Sequence, residues 1–509
     1  MRRLFFAVLA SCLLIANPAS AQHSSSRNFL KDSLDSYVQK AMQAWKIPGV
    51  SIAVVKNGEW LVAKGYGVKV TGSNATVDEH TLFGIGSNTK AFTGTALAML
   101  ESQGKLSLDD KVKKWIPDFQ VYDTWVTKEL TIRDLVSHRM GYETFQGDFM
   151  YFDSDLSYQE VKEKFGLVKP MYGFRSRWGY TNAGFAIAGE IIQKASGQSF
   201  GEFITTQIFQ PIGMKNSIAN SNQYAKEPNI AAAHTVTEGV LKKVAYGNLD
   251  NMAPAGAIAS SAYDMGLWAQ TLLNKGELKG KRILSASAVQ TPMDPHSILG
   301  SGGHPFNRAH FYLYGLGWLL QSYEGRKLVE HTGGVNGFVT SFTLIPEEKI
   351  GIVVLTNTDA NGFFEAMKWE LVDACLGLPF RDYNEMALQQ QEQHEKRAAA
   401  TLKEKRDSIA LKLTPQLPLT AFAGTYQHEV YGKMTLQLEK GQLVARFEHH
   451  PGRFATLGSL GGNRFFASFN DPLFGNKVWP FSISDGKVKS VTVTVSDFIE
   501  FTSYEFYKQ

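Results

Sequence analysis

Residues 83–90 read Phe-Gly-Ile-Gly-Ser-Asn-Thr-Lys and lead into a segment, 91–102, whose apolar residues recur at helical spacing and stop before Gly104. This spacing predicts a helix, and a glycine just past its end is a typical C-terminal signal. Ser87 and Lys90 then share one face of the first turn, so the Lys90 amine can reach the Ser87 hydroxyl. The helix N-terminus favours negative charge on that oxygen, and a lysine in a dry site can act as a base. The stretch predicts a serine nucleophile; the alternative is that Ser87 only caps the helix.

Other serine motifs in the chain fit less well. Ser102 and Ser484 also have a lysine three positions on. Ser102 lies at the predicted end of the helix and Ser484 in a predicted hairpin turn, so neither lysine is held against its serine. Residues 197–201 fit G-x-S-x-G, but a helix precedes them where a nucleophile elbow requires a strand. Ser87 with Lys90 is therefore the preferred pair.

Tyr180 and Asn182 stand immediately before a second helical segment, 183–194. A tyrosine beside a cationic lysine loses its proton more easily and can relay protons to a leaving group. An asparagine amide at this place can hold a substrate carbonyl. The Y-x-N spacing recurs at 246–248, and the alternative for Tyr180 is an ordinary half-buried aromatic residue.

The stretch 331–334 reads His-Thr-Gly-Gly and precedes a predicted strand, 338–344. Glycines in a strand allow a ligand to approach the backbone closely. A backbone N–H here, together with the N–H of Ser87, would form an oxyanion hole. The alternative is a glycine-rich turn with an incidental histidine.

The predicted elements indicate two domains. A hairpin at 50–69, turning at Asn57-Gly58, and strands at 338–344 and 350–355 enclose a helix-rich middle, which suggests one α+β domain with an antiparallel sheet flanked by helices. A charged, polar segment follows and predicts a solvated helical linker, and the alternating apolar residues after it predict a small antiparallel β barrel or sandwich. The predicted limits are 28–382 for the first domain, 383–417 for the linker and 418–509 for the β domain.

Composition excludes several classes of protein. The chain has 509 residues, of which 44% are hydrophobic and 20% charged, as in globular proteins. There are 52 Lys and Arg against 48 Asp and Glu, and the net charge of +4 gives no electrostatic footprint for nucleic acid. Two cysteines are too few for a disulfide framework or a Cys-rich zinc site. We expect no nucleic-acid partner, no metal and no cofactor.

The N-terminus has the layout of a secretory signal peptide, residues 1–21. Two arginines precede an apolar run at 4–15 and a small-x-small site at 19–21. The run is shorter than the roughly 20 residues of a membrane-spanning helix. No later stretch reaches that length without charge, so no transmembrane helix is expected. We expect secretion across the inner membrane into the periplasm, with a lipoprotein anchored at Cys12 as a minor alternative.

Taken in this order, the three elements resemble those of the penicillin-recognising serine hydrolases, which combine S-x-x-K, a Tyr- or Ser-based x-N element and a K-T-G or H-T-G strand. The chain is more specifically similar to the class C β-lactamase-like branch, peptidase family S12. The likeness covers about residues 30–380 and rests also on the stretches 48–54, 85–93, 106–110, 131–138, 180–184 and 314–318. Residues 422–506 resemble the lipocalin-like C-terminal domain of some S12 peptidases.

The resemblance implies a β-lactamase/transpeptidase-like fold for the first domain, and it selects Tyr180 over Tyr246 because the matching helix follows Tyr180 directly. It implies the following roles: Ser87 as the acylated nucleophile, Lys90 and Tyr180 as residues that share the general base and acid work, Asn182 as a ligand of the substrate amide, Thr332 as a substrate contact, the N–H groups of Ser87 and Gly334 as the oxyanion hole, and His331 in the place of a β-lactamase lysine.

Histidine at position 331 departs from the β-lactamase pattern. A lysine there is a permanent cation suited to a substrate carboxylate, whereas histidine is mostly neutral at pH 7. H-T-G resembles D-aminopeptidase-like members instead. We therefore expect a secreted serine hydrolase that forms an acyl-enzyme with a small peptide, amide, ester or β-lactam, and we favour a peptidase or amidase of D-aminopeptidase or D-Ala-D-Ala type. The alternatives are a β-lactamase or esterase on the same site, and a non-catalytic ligand-binding protein.

Overall fold

The computed structural model describes residues 29–301, 304–307 and 309–509. The predicted signal peptide and Cys12 lie outside the described residues. Within those ranges no helix is long and apolar enough to cross a membrane.

The first domain is built on a sheet whose strands, in chain order, are β1 Gly49–Lys56, β2 Glu59–Gly67, β3 Ser297–Gly300, β4 Tyr312–Tyr314, β5 Leu319–Tyr323, β6 Arg326–Val335, β7 Phe338–Ile345 and β8 Ile350–Thr356. Their spatial order is β2-β1-β8-β7-β6-β5-β4-β3, and every neighbouring pair is antiparallel. Asn57 and Gly58 turn the first hairpin with positive φ at both residues, as an Asn-Gly turn requires. The pairing of β1 with β8 joins the two ends of the domain and confirms the predicted α+β class.

Helices cover both faces of this sheet. The longer ones are α1 Leu34–Trp45, α2 Thr89–Ser102, α3 Asn182–Ser196, α4 Ala262–Leu273 and α5 Phe363–Leu376. Helices α1 and α5 pack on the face that presents Val50, Ile52 and Val54, and α4 packs on the opposite face beside Ala53 and Val55. Side chains alternate across a strand, so β1 is buried on both faces.

Shorter elements fill the helix-rich middle. The short helices are Val112–Trp115, Thr124–Glu129, Ile132–Val136, Asp148–Tyr151, Tyr158–Phe165, Phe200–Ile204, Gln210–Ile212, Ala253–Gly256 and Ala286–Gln290. Two-stranded ribbons pair Phe83–Gly84 with Ala259–Ser260, His234–Thr237 with Val240–Lys243, and Glu277–Leu278 with Lys281–Arg282.

A long helix, α6 Tyr383–Ala410, and a short one, Leu419–Phe422, connect the first domain to a β barrel. The barrel strands are β9 Gly424–His428, β10 Gly432–Glu439, β11 Gln442–Phe447, β12 Phe454–Ser459, β13 Arg464–Phe469, β14 Asn476–Ser484, β15 Lys487–Val493 and β16 Tyr504–Lys508. Pairing of β9 with β16 closes these eight strands into a ring, so the domain is a barrel and not a sandwich. The closed ring leaves no free strand edge in this domain. The domain limits 28–382, 383–417 and 418–509 remain predictions.

Candidate active site

Ser87 lies on a 3₁₀ turn that leads into α2. Two glycines allow this turn to pack directly on β6. A Cβ on Gly86 would come 2.8 Å from the Gly334 nitrogen, and a Cβ on Gly333 would come 1.9 Å from the Ile85 carbonyl oxygen. Gly86 also has a φ of 53°, in the left-handed region that favours glycine. The sequence therefore folds so that the serine and the strand backbone face one cavity.

Lys90 is the second residue of α2 and is fully buried. Its Nζ donates to Ser87 Oγ over 3.0 Å and to the Ala255 carbonyl over 2.8 Å. Burial lowers the Lys90 pKa well below its usual range, and the Asp148 carboxylate partly opposes that shift. A lysine with a lowered pKa can take the Ser87 proton. No backbone N–H of the described residues donates to Ser87 Oγ, so its side chain does not cap the helix.

Tyr180 packs its ring against this lysine, with Nζ of Lys90 4.7 Å from the ring centroid. The expectation that the nearby cation makes Tyr180 lose its proton more easily is wrong. The phenol is 9% exposed, and burial raises its pKa, with only a partial offset from the Ser87 hydroxyl. Tyr180 is therefore a proton donor at neutral pH, and the basic group of the site is Lys90.

Asn182 begins α3, and its side-chain amide is held by a carboxylate. Its Nδ2 donates to Asp148 Oδ2 over 2.6 Å, within a buried environment. This contact orients the amide, and no described residue bonds to Asn182 Oδ1. His138 positions the same segment, because its Nδ1 accepts the Thr181 backbone N–H over 3.0 Å.

His331 is buried on β6, beside the tyrosines of the site. Its Nε2 lies 3.2 Å from the Tyr314 hydroxyl, and its Nδ1 lies 2.6 Å from the Thr332 carbonyl oxygen. Burial, reinforced by the Lys90 cation, lowers the pKa of His331 to about 3. The imidazole is neutral at pH 7, so this strand offers no cation to a substrate carboxylate.

The groups meet around a cavity of about 430 Å³ that is lined by every predicted site residue except Lys90. Lys90 lies behind Ser87, against the Ala255 carbonyl. Ser87 and Gly334 both line the cavity, and their backbone N–H groups remain the predicted oxyanion hole. The walls are mainly apolar, and no lysine or arginine is among the described lining residues. Apolar lining residues include Phe145, Phe152, Trp178, Leu319, Val335 and Phe498.

The competing motifs lie elsewhere and make ordinary structural contacts. The Ser102 hydroxyl donates to the Met99 carbonyl at the end of α2, and the Ser199 hydroxyl caps the helix that begins at Phe200. Ser484 is exposed on a hairpin turn, and the Tyr246 hydroxyl donates to the Ala231 carbonyl over 3.0 Å. None of these four side chains lines the cavity.

Among the contributors to the site that sequence reasoning missed are Asp148 and Phe498. Asp148 is a buried acid directly before a largely aromatic run, 149–152, and a charge beside such a run was the available signal. Phe498 comes from the connection between β15 and β16 of the barrel, and no local pattern in the sequence links it to Ser87.

Comparison with known proteins gives two family matches. A family model described as Beta-lactamase matches residues 34–375. A domain of unknown function, DUF3471, matches residues 410–507, which include the barrel.

Among curated proteins, "Unguisins hydrolase ungD" of Aspergillus violaceofuscus is 27% identical over 467 residues, 82% of this chain and 81% of that protein. "Protein flp" of Staphylococcus aureus is 28% identical over 344 residues, 65% of this chain and 64% of that protein.

Solved structures of the same fold include an octameric penicillin-binding protein homologue from Pyrococcus abyssi. It matches with a TM-score of 0.58 and 21% identity over 94% of this chain and 98% of its own. A D-stereospecific amidohydrolase from Streptomyces sp. matches with a TM-score of 0.54 and 19% identity over 67% of this chain and 97% of its own.

Proposed function

The chain belongs to the beta-lactamase family, and from this premise we propose that it is a serine hydrolase that cleaves small amides or peptides through an acyl-enzyme on Ser87. The observation that carries the proposal is the 3.0 Å contact between Lys90 Nζ and Ser87 Oγ, with the lysine fully buried. A dry amine held on a hydroxyl is the arrangement that activates a serine nucleophile.

Each step of acylation has a group in place. Lys90 takes the Ser87 proton as Oγ attacks the substrate carbonyl carbon, and the N–H groups of Ser87 and Gly334 donate to the resulting oxyanion. Tyr180 then donates its proton to the leaving nitrogen as the C–N bond breaks, and the Lys90 ammonium returns a proton to Tyr180. One oxyanion-hole donor typically contributes a factor of about 10²–10³ to the rate. In the second half-reaction water attacks the acyl carbon, the bond between that carbon and Ser87 Oγ breaks, a proton from the water passes to Oγ, and the carboxylic acid product leaves.

The cavity supports a substrate with an apolar side chain and without a carboxylate. Its walls are largely aromatic and aliphatic, and His331 is neutral where a cation would bind a carboxylate. We favour amides with an apolar side chain and D configuration, in line with the resemblance of the H-T-G strand to D-aminopeptidases. Of two similar proteins, one is described as a D-stereospecific amidohydrolase, which favours an amide bond over an ester, and the other as an unguisins hydrolase.

A substrate panel tests the proposal. We expect the purified protein to hydrolyse D-amino acid p-nitroanilides faster than the L-isomers, and a fluorophosphonate probe to label it covalently. Ser87→Ala should abolish both signals, whereas the matched variant Ser102→Ala should retain them. Nitrocefin, a D-Ala-D-Ala peptide and p-nitrophenyl acetate complete the panel and separate β-lactamase, carboxypeptidase and esterase activity. Labelling that persists in Ser87→Ala would overturn the proposal.

We also propose that residues 1–21 direct export to the periplasm. The support is the arginine, apolar and small-residue layout of this stretch. Expression in a Gram-negative host should give a periplasmic protein whose first residue is Gln22. Recovery of the full-length chain from the cytoplasm would contradict the proposal.

A further inference from the structure

The segment that carries Asp148 contacts both the site and the barrel. Asp148 itself bonds Asn182, while the next residue, Phe149, is 1% exposed and lies among barrel side chains. The Phe149 ring stacks on His450 with centroids 4.6 Å apart and lies 5.7 Å from the rings of Tyr431 and Tyr504. We call Tyr431, Phe447, His450, Phe474 and Tyr504 the aromatic socket.

Glu500, a residue of the barrel, is hydrogen-bonded to the same segment, residues 147–149. It is 1% exposed and lies in the connection between β15 and β16. Its Oε1 accepts the Gly147 backbone N–H over 2.8 Å, and its Oε2 accepts the Phe149 N–H over 3.0 Å. The Tyr431 hydroxyl also donates to Glu500, over 3.2 Å. The two amides on either side of Asp148 are thus both bonded to one carboxylate of the other domain.

We propose that the barrel is a working part of the catalytic site, in which Glu500 and the aromatic socket fix residues 147–149 so that Asp148 orients the Asn182 amide toward the substrate. Asp148 and Glu500 are positioning residues, since neither is required to touch the reacting atoms. The inference rests on the proposed function, because it assumes that Asn182 binds the substrate amide.

The hydrogen bonds from Glu500 hold the 147–149 backbone in place. Glu500 supplies the acceptors for two buried N–H groups, and a buried donor that loses its partner destabilises the arrangement that leaves it unpaired. Loss of the carboxylate therefore favours movement of the 147–149 backbone toward other acceptors. Asp148 moves with that backbone, and Asn182 then loses the acceptor that holds its Nδ2.

Kinetics of Glu500→Gln test the coupling. We expect kcat/KM for an amide substrate to fall about tenfold or more, while turnover of p-nitrophenyl acetate, which has no amide for Asn182, stays within about threefold. The matched control is Glu505→Gln, an exposed barrel glutamate bonded to Ser490, which should leave both activities unchanged. A merely structural role would lower both activities equally, and that result would overturn the proposal.

A double-mutant cycle sharpens the test. Asn182→Ala should show the same amide-selective loss, and adding Glu500→Gln to it should cause little further loss, because both changes break one chain of contacts. A double variant whose loss in kcat/KM equals the product of the two single losses would contradict the coupling.

If Glu500→Gln does not fold, Tyr431→Phe is the alternative variant. It removes one donor to Glu500 and should give a smaller loss of the same selectivity. Unchanged kinetics in that folded variant would count against the proposal.

A crystal structure of Glu500→Gln separates this inference from the proposed function. Asn182 Nδ2 displaced from Asp148 would support the coupling even if no amide substrate is turned over. Asn182 still bonded to an unmoved Asp148 would overturn it. Failure of the proposed function would appear instead as fluorophosphonate labelling that does not depend on Ser87.

Discussion

Lys90, Tyr180 and His331 share one dry environment, and burial changes their pKa values in different directions. It lowers the pKa of the lysine and of the histidine, whose protonated forms are charged, and raises the pKa of the phenol, whose deprotonated form is charged. The base and the acid of the site are thereby distinguished. Lys90 loses its own proton readily and can then accept one from Ser87, whereas Tyr180 stays protonated at neutral pH and can donate its proton.

The sequence predicted which residues meet but not their proton affinities. Ser87, Lys90, Tyr180 and His331 could be identified because short motifs place each at the edge of a helix or strand. The behaviour of Tyr180 depends on how deeply the fold buries its ring, and no spacing in the sequence reports that depth. Asp148 was missed for the same reason, since its role depends on a partner 34 positions away.

His331 should make the folded state sensitive to acid. Its pKa is about 3 when folded and about 6.5 when unfolded, so the unfolded chain binds the extra proton between those values. The free energy of unfolding should therefore fall as pH decreases from 6.5 toward 3, by about 1.4 kcal/mol for each pH unit from this group.

The variant His331→Gln removes this contribution, and denaturant titrations from pH 4 to 7 would measure it. The slope of unfolding free energy against pH should become shallower, while loss of the Tyr314 contact costs about 1 kcal/mol at pH 7. His394→Gln, on the exposed surface of α6, is the control and should keep the wild-type slope. An unchanged slope in His331→Gln would show that the imidazole takes up a proton in the folded protein as readily as in the unfolded chain.

At the scale of elements, close packing between the nucleophile turn and β6 positions the catalytic groups. The hairpin turn at Asn57-Gly58 and the helices around 91–102 and 183–194 could be predicted because they follow local rules of periodicity and turn geometry. The approach of β6 to Ser87 could not, since it joins residues about 250 positions apart. The glycines of the 331–334 stretch gave the only local sign that something comes close.

Gly333→Ala tests that packing. The added Cβ would lie 1.9 Å from the Ile85 carbonyl and 2.6 Å from Thr340 Oγ1, so the strand must withdraw from the turn. We expect a loss of about 1–3 kcal/mol in stability and a slower fluorophosphonate reaction, because the oxyanion donors move apart. Thermal unfolding and labelling rates measure the two effects.

The control for this change is Gly173→Ala. A Cβ on Gly173 makes only ordinary contacts, the nearest at 3.6 Å to the Ser176 side chain, so stability and labelling should be retained. Wild-type labelling in Gly333→Ala would mean that the turn and the strand need not touch for Ser87 to react.

At the scale of the whole molecule, the barrel and the first domain are joined by contacts that run from the buried interior to the surface. Glu500 reaches Gly147 and Phe149, Arg453 pairs with Asp153, and His449 lies 3.1 Å from Asp155. The existence of two domains could be predicted from the change in composition and periodicity. Their contact could not, because it links residues about 300–350 positions apart through side chains that fit no motif.

Because Phe149 fills the aromatic socket, we expect the two domains to unfold together in one calorimetric transition. Phe149→Ala removes a fully buried ring from that socket and should cost about 3–5 kcal/mol. The loss falls on the contact between the domains, so the single transition should split, with the barrel and the first domain melting separately. Phe311→Ala, which shortens an exposed side chain just before β4 of the first domain, is the control and should leave one transition. Two separate transitions in the wild-type protein, or one unshifted transition in Phe149→Ala, would mean that the socket does not couple the domains.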